Sequence, residues 1–262
     1  MKLPRSRVKQ ALPAFGTHVC ITGGTGSLGT ALARHLLTCA AVERVVVLSR
    51  DEVKQGDLAE ALPDPRLRCF LGDVRDRERC EMAFYGCDTV IHAAALKRIT
   101  QSVYSPMEIL HTNIWGTVNV ILAAVKAKVK RVLFISSDKA VEATNLYGKT
   151  KAVAEDFSVQ SNSYAYPQGT RVSVLRYGNV MGSRGSVLEV WARQARLGNR
   201  LSLTDPRMTR FLVSLPQAVQ FVLNALQGMD GGEIFVPVLP SARMSEILGL
   251  LHPGAVPVIT GL

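Results

Sequence analysis

The sequence predicts an α/β protein with a doubly wound parallel sheet and a small C-terminal lobe. Short β-branched runs alternate with helical patterns from His18 onward, a glycine-rich turn follows the first run, and the alternation fades beyond about Gly182. With 262 residues, of which 47% are hydrophobic, the chain can bury one sizeable core and an appendage rather than two full domains. We therefore expect a basic lead-in at 1–15, a main domain at 16–181 and an interleaved lobe at 182–262.

The predicted strands are short apolar runs separated by helical patterns, which is typical of parallel β-α-β units. In chain order they span residues 18–22, 44–49, 67–71, 88–93, 131–136 and 171–176. The longest helical patterns, Glu108–Lys128 and Leu146–Val159, each present an apolar face that covers the sheet or pairs with a second subunit, so we expect a homo-oligomer. The lobe is predicted to contain, in order, helices near 186–197 and 217–227, a strand near 233–237 and a helix from Ser245.

The composition of the chain indicates which kinds of binding partner and which cellular location to expect. The net charge of +10 attracts anions, but no lysine or arginine block and no aromatic–basic interleaving marks a nucleic-acid surface, so no nucleic acid is expected. No apolar run approaches the ~20 residues of a membrane helix, and Met1–Phe15 lacks the apolar stretch of a secretory signal. The cysteines, 5 in number, are scattered without C-x-x-C spacing, so we expect no metal site and a cytoplasmic protein.

A glycine-rich turn follows the first predicted strand and opens a helix. Its three glycines have the spacing G-x-x-G-x-x-G. Glycines permit a tight turn and close approach of the helix to the strand, and the backbone N–H groups at the helix N-terminus can hold a pyrophosphate. The turn therefore predicts a dinucleotide-binding domain, whose phosphate contacts are Gly23, Thr25, Gly26, Ser27, Leu28 and Gly29.

The end of the second predicted strand indicates which dinucleotide is bound. Ser49 and Arg50 place a hydroxyl and a guanidinium where the adenosine ribose would lie, whereas an NAD-selective site usually has an acid there. Arg50 can pair with a 2′-phosphate, which favours NADP over NAD, while Asp51 competes for the ribose hydroxyls. The next predicted contacts follow the third strand, at the adenine, and the fourth, at the nicotinamide half: Asp73, Val74, Ala93, Ala94 and Ala95. The alanines fit simple strand packing equally well.

Tyr147 and Lys151 form a Tyr-x-x-x-Lys motif downstream of Ser137 and the fifth predicted strand. A tyrosine normally ionises near pH ~10, so Lys151, one helical turn on, is expected to favour the phenolate. Tyr147 then removes a hydroxyl proton while a hydride passes from the carbon to the nicotinamide, and Ser137 positions the same hydroxyl. The product of this step is a ketone on the substrate.

An Asp138–Lys139 pair directly follows Ser137, and ordinary dehydrogenases of this kind need only the tyrosine and lysine of the previous motif. Once a ketone stands at C4 of a sugar, the hydrogen at C5 becomes acidic. A neutral Lys139 can remove it while Asp138 gives a proton to the departing C6 hydroxyl, and hydride return to C6 makes the cycle redox-neutral. The pair thus predicts a sugar dehydratase. The alternative is a surface ion pair on a loop.

Seven phrases of the sequence together resemble one family: Leu48–Glu52, Gly72–Asp76, His92–Lys97, Ser137–Ala140, Asn145–Gly148, Arg176–Val180 and Thr204–Phe211. They resemble the inverting UDP-N-acetylglucosamine 4,6-dehydratases of the extended short-chain dehydrogenases, which serve flagellin-glycan and surface-polysaccharide sugar synthesis. The match runs from about His18 to Leu251. It implies a Rossmann domain, a nucleotide-sugar substrate and catalytic roles for Asp138, Lys139 and Tyr147. Lys151 is implied to support the cofactor and the tyrosine, and both Tyr147 and Lys151 to contact the cofactor.

The resemblance also implies further binding residues. Near the substrate or its phosphates it places Lys97, Asn113, Asn179, Arg184 and Arg210, and near the cofactor it places Tyr177 and Asn179. Asn113 has a plain structural alternative, which is a hydrogen bond to the backbone of its own helix.

Two features keep other functions open. Members of that family usually continue for several dozen residues, with an Arg-Pro-Gly-Glu-Lys-like segment that helps enclose the nucleotide diphosphate, whereas this sequence ends at Leu262. A smaller substrate or a site closed by another subunit is therefore an alternative, as in related dehydratases of nucleoside-antibiotic pathways that make a 5,6-alkene. A nucleotide-sugar 4-epimerase would use Tyr147 without the Asp138–Lys139 pair, and a non-catalytic NADP-binding module would need none of these residues.

Overall fold

The computed structural model describes residues 14–97, 104–198 and 200–261. The strands of its central sheet are β1 (His18–Thr22), β2 (Arg44–Ser49), β3 (Leu67–Leu71), β4 (Thr89–His92), β5 (Arg131–Ile135), β6 (Arg171–Leu175) and β10 (Ile234–Phe235). All 7 strands pair in parallel, in the order β10-β6-β5-β4-β1-β2-β3. The predicted doubly wound parallel sheet is confirmed, and its first three strands have the predicted bounds.

Helices cover both faces of this sheet. In chain order the helices of the described residues, of which α8 and α10 pack in the C-terminal part instead, are α1 (Ser27–Thr38), α2 (Glu52–Ala61), α3 (Arg77–Phe84), α4 (Pro106–Leu110), α5 (Gly116–Lys126), α6 (Leu146–Gln160), α7 (Asn162–Ala165), α8 (Val187–Arg196), α9 (Leu215–Gly228) and α10 (Met244–Leu251). The helix predicted over 108–128 is continuous but not uniform, because a π turn, His111–Trp115, joins α4 to α5. The helix predicted over 146–159 corresponds to α6.

Alternate residues of each central strand face opposite helical layers. Val19 and Ile21 of β1 belong to a buried cluster that includes Leu32 of α1, whereas Cys20 between them belongs to a cluster that includes Phe84 of α3. Successive strand side chains point to opposite faces, and here both faces are covered, which explains why these strands are continuous apolar runs. The carboxyl ends of the parallel strands meet at one edge, where open α/β sheets bind their ligands.

The C-terminal part adds a smaller sheet and its own core. Strands β7 (Asn179–Val180), β9 (Thr209–Val213) and β11 (Ser241–Arg243) form a sheet in the order β11-β9-β7, and β8 (Ser202–Leu203) pairs with β12 (Val258–Ile259). Fully buried Trp191 of α8 centres a cluster with Leu201 and Met244. The helices predicted near 186–197 and 217–227 correspond to α8 and α9. The strand predicted near 233–237 is the shorter β10, which joins the central sheet beside β6.

In the described ranges, no helix is both long and apolar enough to cross a membrane. The histidine, cysteine and acidic side chains of the same residues form no group that could hold a metal ion. Most of the lead-in predicted at 1–15 lies outside the described residues.

Candidate active site

The glycine-rich turn lies between β1 and α1 in the conformation that its sequence requires. Gly23 has a positive φ of 66°, and its N–H donates to the carbonyl of Leu48 at 2.8 Å. A Cβ on Gly23 would lie 2.7 Å from the Cα of Ala94, and one on Gly29 would lie 2.5 Å from the Cα of Gly24. Only glycine fits at either position. No described side chain caps α1, so its first N–H groups remain for an anionic ligand.

A cavity opens beside this turn, at the carboxyl ends of the first four strands. The Oγ atoms of Thr25 and Ser49 lie 2.7 Å apart near the end of β2. The lining residues are Gly23, Leu48, Ser49, Arg50, Gly72, Asp73, Val74, Ala94, Ala95 and Thr112. Most of the residues predicted for the adenosine half of a dinucleotide are therefore brought together, and the cradle and cavity fit that group. Ala94 and Ala95, predicted for the nicotinamide half, lie on the Arg50 side of the site.

The charged residues after β2 and β3 form two separate groups, one centred on Asp73 and the other an Asp51–Lys54 pair. Arg50 lies 3.5 Å from the carboxylate of Asp73, which also pairs with Arg75 at 2.7 Å. Asp51 caps α2 by accepting from the N–H of Lys54 at 3.0 Å, and it also forms an ion pair with the Lys54 ammonium. These hydrogen bonds to Lys54 lower the pKa of Asp51. Asp51 thus caps its own helix while its side chain stays 36% exposed, and its predicted competition for ribose hydroxyls remains a prediction.

The acid, the base and the serine predicted for catalysis lie together after β5. Ser137 precedes a short 3₁₀ turn and donates to Oδ1 of Asp138 at 2.8 Å. Lys139 donates from Nζ to that same Oδ1 and to Oδ1 of Asn179, each at 3.0 Å. The side chains of Asp138 and Lys139 are 22% and 28% exposed, so both remain reachable by a ligand. An acid, a base and two polar groups thus share one hydrogen-bonded cluster.

Tyr147 lies at the start of α6, directly against this cluster. Asn145 caps the helix by accepting from the N–H of Gly148 at 2.9 Å. Burial raises the pKa of Tyr147 to about 12, a hydrogen bond with Ser137 lowers it, and the charge of Asp138 raises it. Tyr147 is therefore a protonated phenol in contact with Ser137.

Lys151 lies on α6 but is buried against β5. Its Nζ donates to the carbonyl of Ile135 at 2.6 Å and lies 3.9 Å from the centre of the Phe134 ring. Burial lowers the pKa of Lys151 to about 7, and the nearby Glu155 carboxylate raises it. Burial penalises the charged form of both groups, and the effect of Lys151 on the pKa of Tyr147 remains a prediction.

Asn113, predicted near the substrate, is buried and anchors the loop after β4. Its Oδ1 accepts from the N–H of Leu96 at 2.8 Å, and its Nδ2 donates to the carbonyl of Leu96 and to Oγ1 of Thr150, both at 3.0 Å. Both amide hydrogens are used, so no donor is left for a substrate. The alternative prediction, a hydrogen bond from Asn113 to the backbone of its own helix, also differs from the structure, because the backbone partner is Leu96 in the loop after β4.

His92 is a site residue to which the sequence reasoning gave no role. It ends β4 and is 1% exposed, with Nδ1 2.7 Å from Oγ1 of Thr22 and Nε2 3.1 Å from Oγ1 of Thr117. Thr22 also accepts from the N–H of Ala94 at 3.3 Å. Burial and the nearby Lys151 charge lower the pKa of His92 to about 3. The sequence feature that could have predicted this network is a single histidine at the end of an apolar strand.

Two predicted substrate residues contact loops that border the cleft. The backbone N–H of Arg184 donates to Oγ of Ser27 at 3.1 Å, and its guanidinium donates to the carbonyl of Thr25 at 2.5 Å. Arg184 therefore contacts the glycine-rich turn, and its predicted place near the substrate or its phosphates remains a prediction. The Nζ of Lys97 lies 3.5 Å from Oγ of Ser183.

The remaining predicted residues lie on either side of the catalytic cluster. The carbonyl of Tyr177 accepts from the N–H of Asp138 at 3.0 Å, and its buried ring lies near Tyr147. Burial and the neighbouring phenol raise the pKa of Tyr177. Arg210 lies on β9, where its guanidinium donates to the carbonyl of Thr209 at 2.8 Å. The roles assigned to these residues remain predictions.

Comparison with known proteins reveals close relatives over most of the chain. The chain is 42% identical over 248 residues to a protein of Campylobacter jejuni named UDP-N-acetylglucosamine 4,6-dehydratase (inverting), covering 94% of this chain and 74% of that one. It is 41% identical over 235 residues to a Rickettsia massiliae protein named UDP-glucose 4-epimerase, covering 88% of this chain and 69% of the relative. The resemblance predicted from the sequence is confirmed, and the relatives include both dehydratases and epimerases by name.

Solved structures confirm the fold. The structure of Pen from Bacillus thuringiensis matches with a TM-score of 0.89 and 35% identity, covering 95% of this chain and 80% of that one. The dTDP-glucose 4,6-dehydratase DesIV of Streptomyces venezuelae, whose structure holds NAD, matches with a TM-score of 0.84 and 24% identity over 93% and 84% of the two chains. Residues 19–252 match the family described as polysaccharide biosynthesis protein. The chain, with its Rossmann-type sheet and its site at the strand ends, belongs to that family.

Proposed function

We propose that the protein is an NADP-dependent dehydratase of a nucleotide sugar, acting on UDP-N-acetylglucosamine by 4,6-dehydration through a 4-keto intermediate. The observation that carries this proposal is the Asp138–Lys139 pair beside Ser137, which in turn contacts Tyr147. Oxidation at C4 needs only the tyrosine, whereas elimination across C5 and C6 needs an acid and a base that act on neighbouring carbons. The 42% identity to a protein of that name supports the same substrate.

A first step at Tyr147 prepares the sugar for elimination. When bound, a nicotinamide would supply a hydride acceptor for C4, a hydride donor for C6 once it is reduced, and a positive charge in its oxidised form. Such a charge is needed because burial holds the pKa of Tyr147 at about 12. Tyr147 takes the proton of the C4 hydroxyl as the hydride leaves, and Ser137 orients that hydroxyl. The C4 ketone then acidifies the hydrogen at C5.

Asp138 and Lys139 form an acid–base pair that needs no outside proton. Nζ of Lys139 lies 3.0 Å from Oδ1 of Asp138, so one proton transfer converts the ion pair into a neutral amine and a neutral carboxylic acid. A substrate that covers these partly exposed groups removes water, and a less polar surrounding favours the neutral form. Lys139 then takes the C5 proton, and Asp138 protonates the departing C6 hydroxyl. Water leaves, and the ion pair is restored. On hydride return to C6, the Lys139 ammonium, whose protons exchange with solvent, would protonate C5, and the proton that Tyr147 took from the C4 hydroxyl balances the one given up by Lys139.

The surroundings of β2 support NADP over NAD. The Arg50 side chain is 46% exposed at the cavity, and the hydroxyls of Thr25 and Ser49 lie beside it. Asp51, the acid that would serve an NAD ribose, is engaged by Lys54. A 2′-phosphate would find a guanidinium and hydroxyl donors there, and charge-assisted hydrogen bonds of this kind are strong.

Product analysis in deuterated water tests the proposal. With NADP and UDP-N-acetylglucosamine, we expect a product that has lost one water by mass spectrometry and carries deuterium at C5 by NMR. A product of unchanged mass without solvent deuterium would instead identify a 4-epimerase. Bound NADP without any reaction would refute this substrate and favour the smaller sugar of a nucleoside.

Variants of two ion pairs sharpen that test. Asp138→Asn is expected to keep NADP binding and to stop water loss, since the amide cannot protonate the leaving hydroxyl. The matched control is Asp205→Asn, which breaks the surface pair with Arg207 at 2.7 Å and is expected to leave the rate unchanged. Equal rates in both variants would show that the Asp138–Lys139 pair is only another surface pair.

A further inference from the structure

We propose that the hydroxyl of Thr112 is a ligand for the adenosine half of the dinucleotide, an inference that rests on the dinucleotide site proposed above. Thr112 lies in the π turn between α4 and α5 and is 3% exposed. Its Oγ1 is buried and has no hydrogen-bond partner among the described residues. The same residue lines the cavity that contains Asp73 and Ala94. An unpartnered polar group in a ligand cavity marks a place where the ligand supplies the partner.

Other buried threonines on helices show what is unusual about Thr112. Thr117 donates to the carbonyl of Asn113 at 2.7 Å, and Thr150 donates to the carbonyl of Tyr147 at 2.8 Å. Both satisfy their hydroxyl on the preceding helical turn, which is the usual local solution. The π turn has a different carbonyl spacing, and turns of this kind are frequent at functional sites. The Thr112 hydroxyl is thereby left without a described partner, in a residue that lines the cavity.

The position of the turn indicates which part of the dinucleotide the hydroxyl meets. A Cβ on Gly116 would lie 2.8 Å from Cγ2 of Val74, so the helix approaches the strand end that is predicted to hold adenine. Leu48, Val74 and Ala94 give the cavity apolar walls that suit the face of a base. A threonine hydroxyl can donate to a ring nitrogen of adenine or accept from its amino group. The nicotinamide half lies instead toward the catalytic cluster.

Two variants separate a ligand role from a structural one. Thr112→Val keeps the shape of the side chain and removes a hydroxyl that has no described partner, so we expect the cofactor-free protein to be at least as stable as the wild type. The same variant is expected to bind 2′,5′-ADP and NADP about 2- to 12-fold more weakly, the effect of one neutral hydrogen bond. The control is Thr117→Val, whose hydroxyl contacts His92 and Asn113, and it should lower the unfolding midpoint.

Calorimetric titration of each variant with 2′,5′-ADP and with NADP gives the deciding result. Thr112→Ser, which keeps the hydroxyl, is expected to retain the wild-type affinity for both. Unchanged affinity of Thr112→Val, or a loss for NADP alone, would overturn the inference, because 2′,5′-ADP contains only the adenosine half. A destabilised Thr112→Val variant would overturn it as well. If the wild-type protein bound neither NADP nor NAD, the proposed dinucleotide site would fall together with this inference.

Discussion

Substitution of Gly148 by alanine tests whether the catalytic cluster depends on close contact between two backbone segments. A Cβ at this position would lie 2.2 Å from the carbonyl oxygen of Lys139, whereas ordinary contacts begin at 3.4 Å. Either α6 or the turn at Asp138–Ala140 must therefore shift by about 1.2 Å, the difference between those two distances. That shift moves Asp138 and Lys139 away from Tyr147. A misplacement of about 1 Å can cost roughly 100-fold in rate.

The assay for this variant separates chemistry from cofactor binding. We expect Gly148→Ala to reduce the rate of water loss from UDP-N-acetylglucosamine by about 100-fold and to leave the affinity for NADP close to that of the wild type. Gly56→Ala is the matched control, because Gly56 also lies inside a helix but has nothing within 4 Å of its added Cβ. The control should keep its activity and gain about 0.4–1 kcal/mol of stability.

Wild-type activity in Gly148→Ala would refute this reasoning, since it would show that the contact between α6 and the turn does not set the geometry of the acid, the base and the tyrosine. Parallel loss of activity and NADP affinity would refute it in a different way, because the disturbance would then extend beyond the turn.

Three further predictions concern the surrounding structure. Because the pKa of His92 is lowered to about 3, the unfolded chain binds a proton below pH 6.5 that the folded chain does not. The free energy of unfolding, measured by urea titration, should therefore fall by about 2 kcal/mol between pH 7 and pH 5. His92→Gln should lose that pH dependence. Because the pKa of Lys151 is lowered to about 7 from 10.5, the free energy of unfolding should rise between pH 7 and pH 9, by at most about 1.4 kcal/mol per pH unit. In Lys151→Met this free energy should not change with pH over that range. No change in the wild type would contradict the burial of this amine. Trp115 is 59% exposed on the helix predicted to pair with a second subunit. Light scattering should show an oligomer that Trp115→Arg dissociates, and a monomeric wild type would refute the predicted assembly.

The parts of the fold that the sequence predicted are those with a local cause. The strands from His18 to Leu71 were bounded correctly because each is a short apolar run between turn residues. The glycine-rich turn was predicted because its spacing reports a backbone requirement, which the positive φ of Gly23 confirms. The π turn at His111–Trp115 has no comparable signature, so a uniform helix was expected there.

The side-chain environments that the sequence did not predict depend on tertiary contacts. Tyr-x-x-x-Lys spacing suggests a charge beside a phenol, but it does not report that Lys151 lies on Phe134 and donates to Ile135. Asn113 has a polar amide that suits a substrate, yet that amide is hydrogen-bonded to the backbone of Leu96 in another segment. Burial and partners that are distant in the sequence determine the environments of Lys151 and Asn113. Neither environment can be predicted from neighbouring residues in the sequence.

The measurement that tests the central claim most directly is a single turnover of two variants with UDP-N-acetylglucosamine, followed by the near-ultraviolet absorbance of reduced nicotinamide and by product mass. In Lys139→Ala we expect the absorbance to rise and remain, with no loss of water, because Tyr147 still oxidises C4 while the base at C5 is missing. In Tyr147→Phe we expect neither change. Normal water loss by Lys139→Ala, or an absorbance rise in Tyr147→Phe, would contradict the proposed division of labour between the tyrosine and the acid–base pair.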